Sequence, residues 1–117
     1  MKPIKVKRAY DPVARTDGFR VLVDRLWPRG LKKEEAEIQL WLKEIAPSTE
    51  LRKWYDHDPK KWTEFQKRYV KELSTKEALI DIILKEAMKK TVTLLFSSKE
   101  LERNNAVALQ KILLKRK

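Results

Sequence analysis

Two short runs dominated by apolar residues, 21–23 and 92–96, constrain the fold of this chain more than any other feature. Strands that are buried on both faces have this composition, because helices cover both sides of a parallel sheet. The sequence therefore predicts strands over residues 19–24 and 92–96. As the most continuously apolar candidates, these two are expected to be central neighbours in a parallel sheet.

A further strand is predicted near the amino terminus, where Ile4, Val6 and Tyr10 alternate with Lys5 and Lys7. A turn-rich connection of about eight residues leads from it to the second strand. A crossover between parallel strands usually needs a dozen residues or more, so length alone favours a hairpin here.

Helix signals occupy most of the remaining sequence. The apolar residues of segment 31–46 fit helical spacing, but over 38–42 they also alternate as in a strand. The Lys and Glu residues at the start of the segment favour a helix. Four clearer helices are predicted: 49–55 capped by Ser48, one starting at Asp58-Pro59, one opened by a capping box over 74–77, and a last one from about Asn105. Strands interspersed with helices indicate one α/β domain over residues 1–117, a small and mostly parallel sheet of three or four strands with helices packed on it.

The chain is strongly basic and contains no cysteine. Its 28 Lys and Arg residues exceed its 17 Asp and Glu residues, which gives a formal net charge of +11. Such a charge attracts anions, but a surface rich in Lys and Glu is also typical of thermophilic proteins. With no cysteine and one histidine, disulfides and a His/Cys zinc site are excluded, and we expect no metal and no cofactor.

The sequence starts without an apolar signal region and has no apolar run near the ~20 residues that span a bilayer. We therefore expect a cytoplasmic protein with no membrane partner.

Ligand sites in open parallel sheets form beyond the carboxyl ends of the strands. The polar and aromatic candidates at those positions are Arg8 and Tyr10 after the first strand, Asp24, Arg25, Trp27 and Arg29 after the second, and Ser97, Lys99, Asn104 and Asn105 after the third. Their guanidinium groups suit phosphate or carboxylate. We expect Tyr10, Asp24, Arg25, Arg29 and Lys99 to converge around one concavity.

Several of these candidates have a structural alternative. Asp24 is the candidate catalytic base or ligand acceptor; its structural alternatives are an ion pair with Arg25 or Arg8 and a cap on the following loop. Trp27 stacks on a ligand or fills the core. Ser97 and the following helix cradle an anion, or Asn104 is only the cap of that helix. The glycines of a phosphate-binding loop are missing.

The single histidine, His57, lies in a connection between helices, away from the predicted strand ends. We expect it to be structural, although its two flanking aspartates could orient it as an acid–base group. Five nearby aromatic residues are expected in the core: Trp54, Tyr55, Trp62, Phe65 and Tyr69.

The chain resembles a known family in segments that run along nearly its whole length. These are residues 7–12, 17–31, 41–48, 51–55, 57–59 and 92–96 with the helix that follows. The most specific is Val-Asp-Arg-Leu-Trp-Pro-Arg-Gly over residues 23–30. On these segments the chain is similar to the YeaO-like branch of the domain-of-unknown-function family numbered 488.

The resemblance implies an α/β fold and brings no established activity with it. Larger relatives place a helix between the first two strands, so by analogy these strands are parallel here, with a compressed crossover. Relatives often carry histidines before the last helix, at positions that correspond to Arg103 and Asn105 in this chain. This chain therefore lacks the side chains on which a mechanism with those histidines would depend.

Two functions from different classes follow from these features. The first is a small enzyme or binding domain for an anionic small molecule, a nucleotide or phosphorylated metabolite, at the strand ends. The second is a nucleic-acid-associated accessory protein that acts through its basic surface, with weak and non-specific binding. An interaction module without a ligand is a third. The sequence does not decide whether the protein is an enzyme.

Overall fold

The structure, a computed structural model, describes residues 1–116. Its strands are β1 (Ile4–Arg8), β2 (Phe19–Leu22), β3 (Leu40–Trp41) and β4 (Val92–Phe96). Its α-helices are α1 (Lys33–Ala36), α2 (Thr49–Tyr55), α3 (Trp62–Leu73), α4 (Glu77–Lys89) and α5 (Asn105–Leu114), with 3₁₀ turns at Arg15–Asp17, Lys43–Ile45 and Pro59–Lys61. No helix among the described residues has the length and apolar character needed to cross a bilayer.

The four strands form one parallel sheet in the order β1-β4-β2-β3. The two apolar strands β2 and β4 are the central pair, as predicted. Alternate side chains of each strand enter the main core on one face, where Val21 and Leu94 are fully buried beneath helices. Leu22 and Leu95 point to the other face and form a smaller cluster with Ala9. Burial on both faces explains the continuously apolar character of β2.

The first two strands are parallel, and the length argument for a hairpin is wrong. Residues 9–18 return the chain to the start of β2 while β4 lies between β1 and β2. Ten extended residues reach roughly 33 Å, whereas the return along a five-residue strand is roughly 16 Å. A helix is therefore unnecessary, and the connection needs only a turn that fixes its path.

A buried ionic cluster fixes that path. The Asp17 carboxylate, almost wholly buried, accepts hydrogen bonds from Arg20 Nη1 at 2.6 Å, Lys7 Nζ at 3.0 Å and the Ala14 backbone N–H at 2.9 Å. The hydroxyl of Thr93 donates to the Asp17 backbone carbonyl at 2.6 Å. These contacts join the connection to β1, β2 and β4.

Residues 31–46 do not form the predicted helix. The segment contains only the single turn α1, then the short strand β3 beside β2, then a 3₁₀ turn. Helix α1 ends here because the Arg20 guanidinium donates hydrogen bonds to the backbone carbonyls of Ala36 and Glu37. Arg20 Nη2 lies 2.9 Å from the Ala36 oxygen. Glu37 adopts a left-handed backbone conformation, with φ 45°. The alternating pattern over residues 38–42, which indicated a strand, was the correct signal.

The other helix starts agree with the sequence except one. Ser48 caps α2 by accepting from the Leu51 N–H, and Asp58 accepts from the Lys60 N–H. The capping box predicted over 74–77 is wrong. The hydroxyls of Ser74 and Thr75 instead donate to carbonyls in the last turn of α3, and the N-cap of α4 is Lys76, which makes no side-chain capping bond.

Candidate functional site

A cavity of about 230 Å³ opens beyond the carboxyl ends of β2 and β4. Its wall comes from the segments that follow these strands, from residues 46–47, from α2 and its end, from α3 and from the start of α5. The residues that line it are Asp24, Arg25, Leu26, Ala46, Pro47, Arg52, Tyr55, His57, Phe65, Ser97, Ser98, Asn104 and Asn105. Ligands of open parallel sheets generally bind at this location.

Asp24 holds three elements of this cavity together. One carboxylate oxygen accepts from the Ser97 N–H at 2.9 Å and the Ser97 hydroxyl at 2.8 Å. The other oxygen accepts from the Asn105 side-chain amide at 3.0 Å, and that amide also donates to the carbonyl of Val23. The expectation that Asp24 pairs with Arg25 or Arg8 is wrong, since within residues 1–116 it makes no ion pair. Neutral donors stabilise this carboxylate, and its oxygens are occupied.

Arg25 lines the same cavity and is only partly satisfied. Its Nη2 donates to the carbonyls of Ala46 at 3.2 Å and Pro47 at 3.4 Å. Its contact with the exposed Glu44 is long, 3.8 Å from Nη1 to the carboxylate. Its Nε is buried and has no hydrogen-bond partner among the described residues. A buried N–H without an acceptor is costly, so this guanidinium is suited to receive one.

Two further basic side chains line the cavity from α2 and the residues after it. Arg52 is on α2, and His57 follows its end. Asp56 and His57 both adopt left-handed backbone conformations, with φ 44° and 54°, which non-glycine residues adopt uncommonly. This double turn brings the imidazole beside the Tyr55 ring, 6.1 Å between centroids. The prediction that His57 lies away from the strand ends is wrong.

The segment between β4 and α5 is held by its own polar groups. Asn104 caps α5 by accepting from the Val107 N–H at 2.9 Å, as predicted. The Glu100 carboxylate accepts from the backbone N–H groups of Glu102 and Arg103, and these bonds lower the pKa of Glu100. The Tyr55 hydroxyl donates to the Arg103 carbonyl at 2.7 Å, and burial raises the pKa of Tyr55.

The structure divides the sequence candidates into two groups. Asp24, Arg25, Ser97, Asn104 and Asn105 line the cavity. Arg8, Tyr10, Trp27, Arg29 and Lys99 do not line it.

The second group has other partners. The Arg8 guanidinium donates to the carbonyls of Ser97 and Ser98, at 2.9 Å each, and packs over the Tyr10 ring. The Tyr10 hydroxyl donates to the Arg29 carbonyl. The Trp27 indole donates to the Leu31 carbonyl and packs against the smaller cluster on the second face, which matches the core alternative for this residue.

The sequence interpretation missed two basic side chains, Arg52 and His57. For Arg52 a signal was available: it lies three residues before Tyr55 on a predicted helix, and residues at that spacing share a face. For His57 no comparable signal exists. Its position depends on two consecutive left-handed residues, and neither of them is the glycine that usually indicates this conformation in a sequence.

The cavity combines the charge and the donors that an anion needs. Arg25 and Arg52 outnumber the single carboxylate Asp24, and α5 begins at the cavity, where the helix dipole favours negative charge. Among the described residues no group of three or more histidine and acidic side chains is placed to hold a metal ion.

Comparison with known proteins gives a consistent family and no function. A family model with the description "Inactive DUF488-N3 subclade" matches residues 3–117. The chain is 43% identical over 106 residues to the uncharacterized protein YeaO of Escherichia coli K12, covering 91% of this chain and 92% of that protein. It is 38% identical over 110 residues to an uncharacterized protein of Mycobacterium tuberculosis H37Rv, covering 94% and 92%. No solved structure gives a significant match.

Proposed function

The chain belongs to the DUF488 family, and from the geometry of its site we propose that it binds a small anionic molecule in the cavity beyond its central strands. The ligand class is a nucleotide or a phosphorylated metabolite. Arg25 and Arg52 are the anion-binding side chains, and the dipole of α5, which begins at the cavity, favours the negative charge.

The observation that carries this proposal is the unsatisfied Arg25 guanidinium. Buried polar groups in native proteins are almost always hydrogen-bonded, so an exception needs an explanation. Arg25 lines the cavity and holds its other partners by long hydrogen bonds, so a small shift of its guanidinium would let an anion in the cavity accept from it. Guanidinium groups favour phosphate and carboxylate because their N–H groups match two acceptor oxygens.

Binding is favoured over catalysis by two features. Asp24, the candidate base, already accepts three hydrogen bonds and is therefore poorly placed to take a proton from a substrate. The matching family model describes its subclade as inactive. Both features support a domain that holds an anion without transforming it.

The proposal is tested by titrating the full chain with inorganic phosphate and with AMP, using calorimetry and thermal unfolding. A ligand at 100 times its dissociation constant stabilises the folded state by about 2.7 kcal/mol. Arg52→Gln is the informative variant because Arg52 is exposed and its loss spares the core. A hydrogen bond to a charged group contributes about 1.5–3 kcal/mol, so we expect this variant to bind at least tenfold more weakly.

Arg29→Gln is the matched control. Arg29 is also exposed and was a candidate from sequence, but it lies outside the cavity lining. We expect its affinity to stay within twofold of the parent chain. Equal weakening by both substitutions would point to attraction by net charge alone, and an absence of binding to either anion would refute the proposal.

A further inference from the structure

The cavity has an apolar side as well as a charged one. Leu26, in the segment after β2, is 65% exposed and lines the cavity. Pro47 and Phe65 line it as well, and both are buried. An exposed leucine alone is ordinary. Here it lines the same concave site as Pro47 and Phe65, so it adds exposed apolar surface to the wall that a ligand meets.

We infer that the ligand is an organic phosphomonoester whose short apolar or aromatic group packs against Leu26, Pro47 and Phe65. This inference rests on the proposed function, since Arg25 and Arg52 bind the phosphate. Small-molecule sites generally combine an apolar wall with a few polar groups that fix orientation.

The size of the cavity supports an organic ligand over a bare ion. Its volume of about 230 Å³ is several times the roughly 30 Å³ that one water occupies in the liquid. It lies just below the common range of pockets for larger ligands, roughly 300–1,000 Å³. The space inside the cavity suits a phosphate with a small organic group.

The chemistry of the wall selects among organic groups. Hydroxyls of a sugar placed against Leu26 and Phe65 would lose water without gaining partners, which is costly. An alkyl or phenyl group placed there loses water at no such cost and gains from its burial. The apolar side therefore discriminates against polyhydroxylated phosphates.

The test is a series of probes on the full chain: inorganic phosphate, methyl phosphate, butyl phosphate and phenyl phosphate, each titrated by calorimetry. Burial of one methylene raises affinity roughly fourfold. We expect phenyl phosphate to bind at least tenfold more tightly than inorganic phosphate. In Leu26→Ser we expect most of that gain to disappear, so that phenyl phosphate and inorganic phosphate bind within about threefold of each other.

Leu101→Ser is the matched control, because Leu101 is 61% exposed, follows β4 and lies outside the cavity lining. Its phenyl phosphate affinity should be unchanged. Equal affinities for phenyl and inorganic phosphate, or a gain that survives Leu26→Ser, would overturn the inference and leave the anion site intact. If no probe binds, or if binding is insensitive to Arg52→Gln, the proposed function fails and this inference fails with it.

Discussion

Replacement of Asp17 by asparagine tests whether the ionic cluster holds the short connection between β1 and β2. The substitution preserves shape and removes the charge that Arg20 and Lys7 share. The side chains of Asp17 and Arg20 are only 4% and 3% exposed, so the variant leaves a buried guanidinium without its counter-charge. Breaking a buried pair in this way costs about 3–5 kcal/mol.

That loss is large for a chain of this size. Small domains unfold with about 5–15 kcal/mol, so Asp17→Asn should be marginally folded at 25 °C, with its melting temperature lowered by roughly 10 °C or more. Urea unfolding followed by circular dichroism measures the difference. The control is Glu64→Gln, which removes the exposed pair with Arg68 and should cost less than about 1 kcal/mol.

The pH dependence gives the same test a second readout. Burial raises the pKa of Asp17, but the Ala14 N–H, Lys7 and Arg20 outweigh it and lower the pKa below its ordinary value. A carboxyl whose pKa is lowered by folding stabilises the protein fully above the unfolded pKa, about 3.9. This contribution disappears as pH falls through the lower folded value. The gap between wild type and Asp17→Asn should therefore be constant above about pH 5 and shrink below about pH 4.

Two results would refute this reasoning. One is a cost of Asp17→Asn below about 1 kcal/mol at pH 7, which would mean that the connection is held by other contacts. The other is a gap between the two proteins that stays constant down to pH 3, because an ionised Asp17 would then contribute nothing specific.

Three further predictions follow from the geometry. Gly18→Ala should lower the free energy of unfolding, measured in urea, by about 2–5 kcal/mol, because Gly18 has φ 65° and an added Cβ would lie 2.1 Å from the Thr91 carbonyl oxygen. Gly30→Ala is the control: Gly30 has φ 78° but open space around it, so the loss should be only about 1–2 kcal/mol. Asp24→Asn should destabilise the chain by about 1–3 kcal/mol. It should nevertheless bind inorganic phosphate more tightly, because the substitution removes a negative charge from the anion site. Weaker binding in calorimetry would contradict this. Duplex DNA should bind with a dissociation constant of roughly 10⁻⁴–10⁻⁶ M that rises steeply with salt in fluorescence titrations, whereas nanomolar, sequence-dependent and salt-tolerant binding would favour a nucleic-acid function.

The sequence predicted the centre of the fold well because burial on both faces leaves a direct record in composition. Strands β2 and β4 were identified from their apolar runs, and their adjacency followed. The segment 31–46 was misread because its helical spacing is real but local. A tertiary contact decides its path: Arg20, from β2, takes the carbonyls of Ala36 and Glu37. Such long-range capture of backbone groups is not visible in periodicity.

The lining of the cavity was predicted only in part. The residues that directly follow β2 and β4 reach the cavity because the ends of adjacent parallel strands must meet. Tyr10 and Arg29, also expected there, instead contact each other outside it. The placement of Tyr10 depends on the path of the connection after β1. The buried Asp17 cluster holds that connection, and a buried charge cluster has no periodic signature.

Arg8 joins the end of β1 to the segment that follows β4. It was expected to bind the anion, but its guanidinium is committed to the carbonyls of Ser97 and Ser98 from β1. On the other side of the same segment, Asp24 accepts both the N–H and the hydroxyl of Ser97. The start of the β4–α5 segment is thus fixed at its carbonyls by a cation and at its donors by an anion. A site built on a loop needs such support to keep its geometry, so Arg8 contributes to the cavity by positioning its wall.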